Sequence, residues 1–227
     1  LTDRRIRFSG LDLDADIDRG VVAFDADATL AGGDGRIVAL GTLQLGDPLA
    51  YEVVEGEAYN LNLTALTGKE TQDSDLTGSF TLSGQGLDLT QAPIDLTARL
   101  TDSRYGTYQI AAGDLDVVLR NGTAQIDAAL DFGPGGQLTA RGTAQPFALP
   151  LTYQLEGTMQ NLDLAEVQGV PERYSDLTGS YAVDGAGIDP ATAVLSAQVQ
   201  ITEPSSYGER FVDGADLATL LGEWGDC

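Results

Sequence analysis

Apolar and polar residues alternate along most of this chain with a period of two. "TAQIDAALDF" (123–132) sets Ala124, Ile126, Ala128, Leu130 and Phe132 against Thr123, Gln125, Asp127 and Asp131. "IDLTARLT" (94–101) sets Ile94, Leu96, Ala98 and Leu100 against Asp95, Thr97, Arg99 and Thr101. Such writing predicts β-strands with one apolar and one wet face. Turn signals stand between the runs: "GGDG" (32–35), "RNG" (120–122), "GPGG" (133–136) and "DGAG" (184–187). Successive strands are therefore expected to form antiparallel hairpins. Helical pattern is confined to "LTALTG" (63–68), its counterpart "LAEVQG" (164–169), and "GADLATLLGEW" (214–224). The expected class is all-β.

The pattern repeats. "SDLTGSF" (74–80) returns as "SDLTGSY" (175–181), an offset of 101 residues. In the same register "NLNL" (60–63) meets "NLDL" (161–164), "GQGLD" (84–88) meets "GAGID" (185–189), and "GRIVALGTL" (35–43) meets "GQLTARGTA" (136–144). The units read as a partial copy over 1–34, a full one over 35–135, and an incomplete one over 136–227. We expect one continuous repetitive sheet, with about seven strands of roughly 5–6 residues per unit.

Composition narrows the functional classes. The chain has 35 Asp and Glu against 12 Lys and Arg, no His, and a net charge of −23 over 227 residues. That charge repels nucleic-acid phosphates and anionic headgroups, so no nucleic-acid partner is expected. The sole Cys is Cys227 and excludes an internal disulfide. No apolar run is long enough to span a bilayer as a helix, and the opening "LTDRRIRF" is no signal peptide. The chain reads as a piece of a longer one.

Candidate chemistry is sparse. Without His the commonest general base is missing, and no Ser or Cys has an activating partner in sequence, so no enzyme is expected. "LDLDADIDRG" (11–20) places Asp12, Asp14, Asp16 and Asp18 at alternate positions. A calcium loop needs Gly at its sixth position and a bidentate acid at its twelfth. Counted from Asp12 those positions hold Ile17 and Ala23. A strand with solvated carboxylates is the simpler reading, and neither a metal nor a cofactor is expected. "GGDG" and "GPGG" occupy matching places in the two units and read as hairpin turns rather than phosphate cradles.

What remains is the apolar face itself, too large to stay bare on a soluble monomer. A Gly-ended strand with "NLDL", a short helical turn, "SDLTGSYAVDGAGIDP" and "LSAQVQI" resembles the AsmA-like/TamB family of bacterial envelope proteins. So does "LTARLTDSRYGTYQIAAGDLDVVLRNGTAQIDAALDFGPGGQLTARGTA" (96–144). The resemblance is one of pattern over nearly the whole chain, without a catalytic motif. It implies an elongated, curved, mostly antiparallel sheet, folded like a taco shell around an apolar groove. It further implies a bridge-like protein carrying phospholipid between inner and outer membranes, or supporting outer-membrane biogenesis. The location would be periplasmic, with anchoring through segments absent from this chain. Partners would be phospholipid acyl chains and, through missing parts, outer-membrane assembly proteins.

Candidate groove residues are Phe80, Leu82, Ile94, Leu96, Leu100, Ile126, Leu130, Phe132, Leu138, Leu155, Tyr181, Val183, Leu195, Val199 and Ile201. Each could instead be packed core. The rival architecture is a tandem of β-sandwich modules, as in surface adhesins, for which a unit of this length is suitable. A β-solenoid fits poorly, because the unit is too long for one coil.

Overall fold

The computed structural model describes residues 8–31, 35–64, 73–88, 90–169, 174–187, 193–202, 205–207 and 210–211. The third expected helical stretch, 214–224, lies outside them, as does most of the first, of which Leu63 and Thr64 are helical. The chain divides into two compact units, Leu1–Asn121 and Gly122–Cys227.

In the first unit seven strands follow one another: β1 (Phe8–Asp18), β2 (Val21–Leu30), β3 (Arg36–Gln44), β4 (Ala50–Leu61), β5 (Ser74–Gln85), β6 (Ile94–Tyr105) and β7 (Tyr108–Arg120). Each pairs antiparallel with the next. The second unit continues this logic with β8 (Thr123–Asp131), β9 (Gln137–Gln145), β10 (Thr152–Leu162), α1 (Leu164–Gln168), β11 (Ser175–Ala186) and β12 (Val194–Ile201). Two short strands complete it: β13 (Ser206–Tyr207) pairs with the start of β11, and β14 (Arg210–Phe211) pairs with β13. The fold is all-β and mostly antiparallel, as the alternation predicts.

The strands are longer and fewer than expected. They run mostly 9–13 residues, and among the described residues the 35–135 copy holds six of them where about seven were expected. Bulges allow this length. Register slips between Val53 and Gly56, between Asp75 and Gly78, and between Met159 and Leu162 let one strand bend and continue.

The repeated phrase is a structural lock. Its Ser is almost fully enclosed, at 2% exposure for Ser74 and 1% for Ser175. The Ser175 hydroxyl accepts the N–H of Leu164 at 2.8 Å and donates to the carbonyl of Leu162 at 3.0 Å. Ser74 accepts the N–H of Leu63 at 2.8 Å and faces the Leu61 carbonyl at 3.3 Å. These bonds satisfy backbone groups where β4 and β10 end, groups that would otherwise be orphaned by burial. The Thr of the phrase takes the N–H of Asn60 (to Thr77, 3.2 Å) or Asn161 (to Thr178, 3.1 Å) on its hydroxyl. Both Asn residues sit at positive φ, 48° and 49°. The phrase's Gly lies against the next strand: a Cβ on Gly78 would stand 2.1 Å from the Arg99 carbonyl oxygen, and one on Gly179 2.2 Å from that of Gln200. Only Gly fits there.

The densest packing sits at one end of the strands. In the second unit Met159, Leu162, Val167 and Leu177 are buried together, with Phe132, Leu138, Val199, Ile201 and Tyr207 packed against them. The helix α1 supplies Val167 and is capped by Asp163, which accepts the N–H of Ala165 at 2.9 Å. "GPGG" forms a 3-10 turn, Gly133–Gly135, in which Gly135 approaches the Val167 side chain too closely for a Cβ.

Replacing Ser175 by Ala should lower the unfolding free energy by about 1–3 kcal/mol, because Leu164 N–H and Leu162 C=O lose a buried partner. The neighbouring exposed Ser180→Ala should leave it within ~0.5 kcal/mol. Urea titrations of the two variants, followed by circular dichroism, make the comparison.

Candidate functional site

Cross-strand register brings the alternate apolar residues of each unit onto one face. In the first unit one row runs Ile17, Val22, Leu43, Tyr51, Gly84, Ile94 and Leu119. The next runs Ala15, Phe24, Gly41, Val53, Leu82, Leu96 and Val117. In the second unit Ala124, Ala144, Tyr153, Gly185 and Leu195 form one row, and Ile126, Gly142, Leu155, Val183 and Ala197 another. No second sheet packs onto either face among the described residues. Most side chains along these rows are half-buried by their neighbours, Leu119 and Ala124 are buried, and at β1 Leu11, Leu13 and Ile17 are 62%, 55% and 66% exposed.

Aromatic rings lie over glycines on this face, and the repeat preserves the device. Phe80 covers Gly56 and Tyr181 covers Gly157; Tyr51 covers Gly84 and Tyr153 covers Gly185. A Cβ at Gly56 would come within 2.6 Å of the Phe80 ring, and one at Gly185 within 2.3 Å of Tyr153. The missing side chain makes the space, and the neighbouring ring fills it across the ladder. Tyr181 is long enough to donate its hydroxyl to the Thr139 carbonyl, two strands away, at 2.7 Å. Burial among these neighbours pushes its phenol up from the ordinary value.

The fifteen predicted lining residues separate into two environments. Phe80, Leu82, Ile94, Leu96 and Leu100 share the open apolar face of the first unit through β5–β6 register, and Ile126, Leu155 and Val183 share that of the second. Leu130 pairs with Leu138, Tyr181 with Val199, and Leu195 with Gly185. Phe132, Leu138, Val199 and Ile201, however, pack against the buried cluster beneath α1. At those four positions protein already supplies the apolar contact. Phe24, Tyr51 and Val53 belong to the face and do not figure among the predicted residues, although the alternation in "VVAFDADATL" (21–30) carries the first and that in "LAYEVVEG" (49–56) the other two.

The opposite face is ionic. Arg36 bridges to Asp27 at 2.5 Å, Arg99 to Asp114 at 2.9 Å, Arg120 to Asp95 at 2.8 Å and Arg141 to Asp127 at 2.5 Å. The recesses of the two units open mainly between these polar rows. One of them, about 720 Å³, is lined by Asp127, Thr139, Arg141, Glu156, Thr158 and Gln198 among others. The apolar surface is therefore a face and not an enclosed pocket. The Asp12, Asp14 and Asp16 carboxylates stand on the polar side of β1, as the solvated-strand reading requires, and no metal-holding group occurs among the described residues. Among the described residues no helix is long and apolar enough to cross a membrane.

Compared with known proteins, the chain matches no family model, no curated protein and no solved structure.

Hydrogen bonding by the Arg36 guanidinium holds the Asp27 carboxyl below its ordinary value of 3.8, and Arg104 with Asn62 does the same for Asp73. A depressed folded pKa stabilises the fold above the unfolded value, and that contribution disappears as pH falls through the folded one. The acid limb of stability should therefore begin below about pH 4. In an Arg36→Gln variant the Asp27 titration midpoint, followed by carboxyl-carbon NMR, should move up toward the ordinary value.

Proposed function

We propose that this chain offers an apolar β-sheet surface to phospholipid acyl chains, as a segment of a bridge-like conduit between the two membranes of a bacterial envelope. Support for outer-membrane biogenesis belongs to the same reading, as does a periplasmic location with anchoring elsewhere. The observation that carries it is the uncovered apolar face. In each unit strand follows strand, and the alternating apolar residues stand in cross-strand rows with no protein layer over them among the described residues.

The energetics suit transit rather than storage. Full transfer of a sixteen-carbon acyl chain from water to an apolar medium is worth on the order of 13 kcal/mol, at ~0.8 kcal/mol per CH₂. A chain lying on an open face buries about half of its surface, so roughly 6 kcal/mol remains per chain. Rows of similar Leu, Val, Ile and Ala side chains offer no position deep enough to trap it. The acidic opposite face, at a net charge of −23 for the chain, keeps that side off anionic headgroups.

The sandwich alternative loses its main support. A sandwich buries the inner faces of two packed sheets, whereas each unit here is built from sequential neighbours in a single layer.

Organic extraction and native mass spectrometry of the chain purified from bacteria should recover bound phospholipid. Leu96→Asp places a charge between Leu82 and Val117 on the open face. It should remove most of the bound lipid while circular dichroism still reports a β-sheet. A lipid-free wild-type chain, or a Leu96→Asp variant that unfolds, would assign the face to protein contacts instead.

A further inference from the structure

Two hairpin loops, one in each unit, occupy the same place in the repeat and carry opposite chemistry. The loop joining β3 to β4 ends in Asp47-Pro48-Leu49 before the strand of Tyr51, and the loop joining β9 to β10 ends in Leu149-Pro150-Leu151 before that of Tyr153. Both are tied down alike: the Leu49 carbonyl accepts the N–H of Gly86 at 2.6 Å, and the Leu151 carbonyl that of Gly187 at 2.7 Å. Leu149 therefore stands where the first unit has Asp47. It is 99% exposed, and Phe147, two residues earlier, is 42% exposed. The loop accepts a carboxylate at this place, so folding does not require Leu there, and a side chain wholly in water adds nothing to a core.

Scattered exposed apolar residues need no explanation. These two, however, share one loop, and no residue between Arg141 and Glu156 carries a charge, in a chain whose net charge is −23. On the adjacent strand Asp184 stands opposite Gln154, two rows in from the loop. β10 runs from the loop to the cluster beneath α1, so Phe147 and Leu149 lie at the strand end away from that packing.

We propose that Phe147 and Leu149 insert into the interface of a zwitterionic phospholipid bilayer. A bilayer suits this tip better than a protein partner does. The two side chains present on the order of 200 Å², far below the ~800 Å² per partner of a stable protein interface. A fluid interface closes around a small convex tip and favours it in proportion to its apolar area. Charge selects the headgroup: the loop offers no Lys or Arg to an anionic lipid, and the chain as a whole repels one. Gln145 and Thr152, which bound the loop, also line a recess of about 590 Å³ with Ala144, Tyr153, Gly185 and Leu195 of the apolar row. On the lipid reading above, on which this last step rests, an acyl chain leaving the bilayer beside the loop meets that row first.

The test is flotation of the full chain with phosphatidylcholine vesicles at millimolar lipid. Leu149→Asp, a change that the first unit's loop shows to be tolerated, should lower the partition coefficient about ten-fold or more. Phe147→Ser should lower it in the same direction, while Leu87→Ser, at a residue 79% exposed in a loop of the first unit, should leave it unchanged. Phosphatidylglycerol vesicles should bind the chain more weakly, and added salt should narrow that difference. No association with phosphatidylcholine, equal loss in Leu149→Asp and Leu87→Ser, or tighter binding to phosphatidylglycerol would overturn the proposal. Phospholipid carried by a purified chain that ignores vesicles ends this inference and leaves the reading of the apolar face intact. Loop-dependent vesicle binding by a lipid-free chain upholds the insertion and ends that reading instead.

Discussion

Where no second layer covers a sheet, its stability comes from within its own plane. Among the described residues the strands lean chiefly on their ladder partners, and the sequence is organised around making those lateral contacts dense. Rings are laid over glycines so that Phe80 occupies the space Gly56 vacates and Tyr153 that of Gly185. Arginines on the polar side reach sideways to aspartates of the adjacent strand. Exposed ion pairs of this kind contribute little singly, but they also fix register, because a slip of one residue would move every aliphatic side chain to the wet side. The enclosed clusters and the buried Ser residues then close the strand ends, where a ladder alone would leave backbone groups without partners.

This arrangement explains why the apolar face is available at all. In a packed domain the aliphatic side of a sheet disappears against another layer, and its residues report only on stability. Here the buried residues gather at the ends and beneath α1, while the middle of each face retains half-exposed aliphatic surface. The lipid proposal rests on that division. It also distinguishes between the residues assigned to the face: Leu82, Leu96 and Leu155 lie on open surface, whereas Phe132, Leu138, Val199 and Ile201 serve the cluster under the helix.

Much of the architecture was legible in the order of residues. The period-two run at 94–101 falls within β6, that at 123–132 covers β8 and ends one residue past it, and the glycine signals at 133–136 fall in a turn. Strand length was not legible, because bulges near Gly56 and Gly78 carry a strand through points where alternation falters. The repeated phrase announced a repeat but concealed its purpose. Nothing in "SDLTGS" shows that its Ser closes a neighbouring strand end or that its Gly abuts a carbonyl, since both facts depend on chain segments far away. The aromatic partners of the glycines were hidden for the same reason. Of the candidate surface, alternation identified the face but could not say which of its residues α1 would cover, because that depends on where a five-residue helix docks.

The strictly sequential order of strands in the first unit has an evolutionary corollary. Each hairpin touches only the hairpins before and after it, so the unit behaves like a one-dimensional stack. Losing or duplicating two consecutive strands preserves the inside and outside of all the rest, while losing one would invert the direction of everything that follows. Growth by paired strands is thus the path of least disturbance, and lineages of this architecture should vary in extent by even steps.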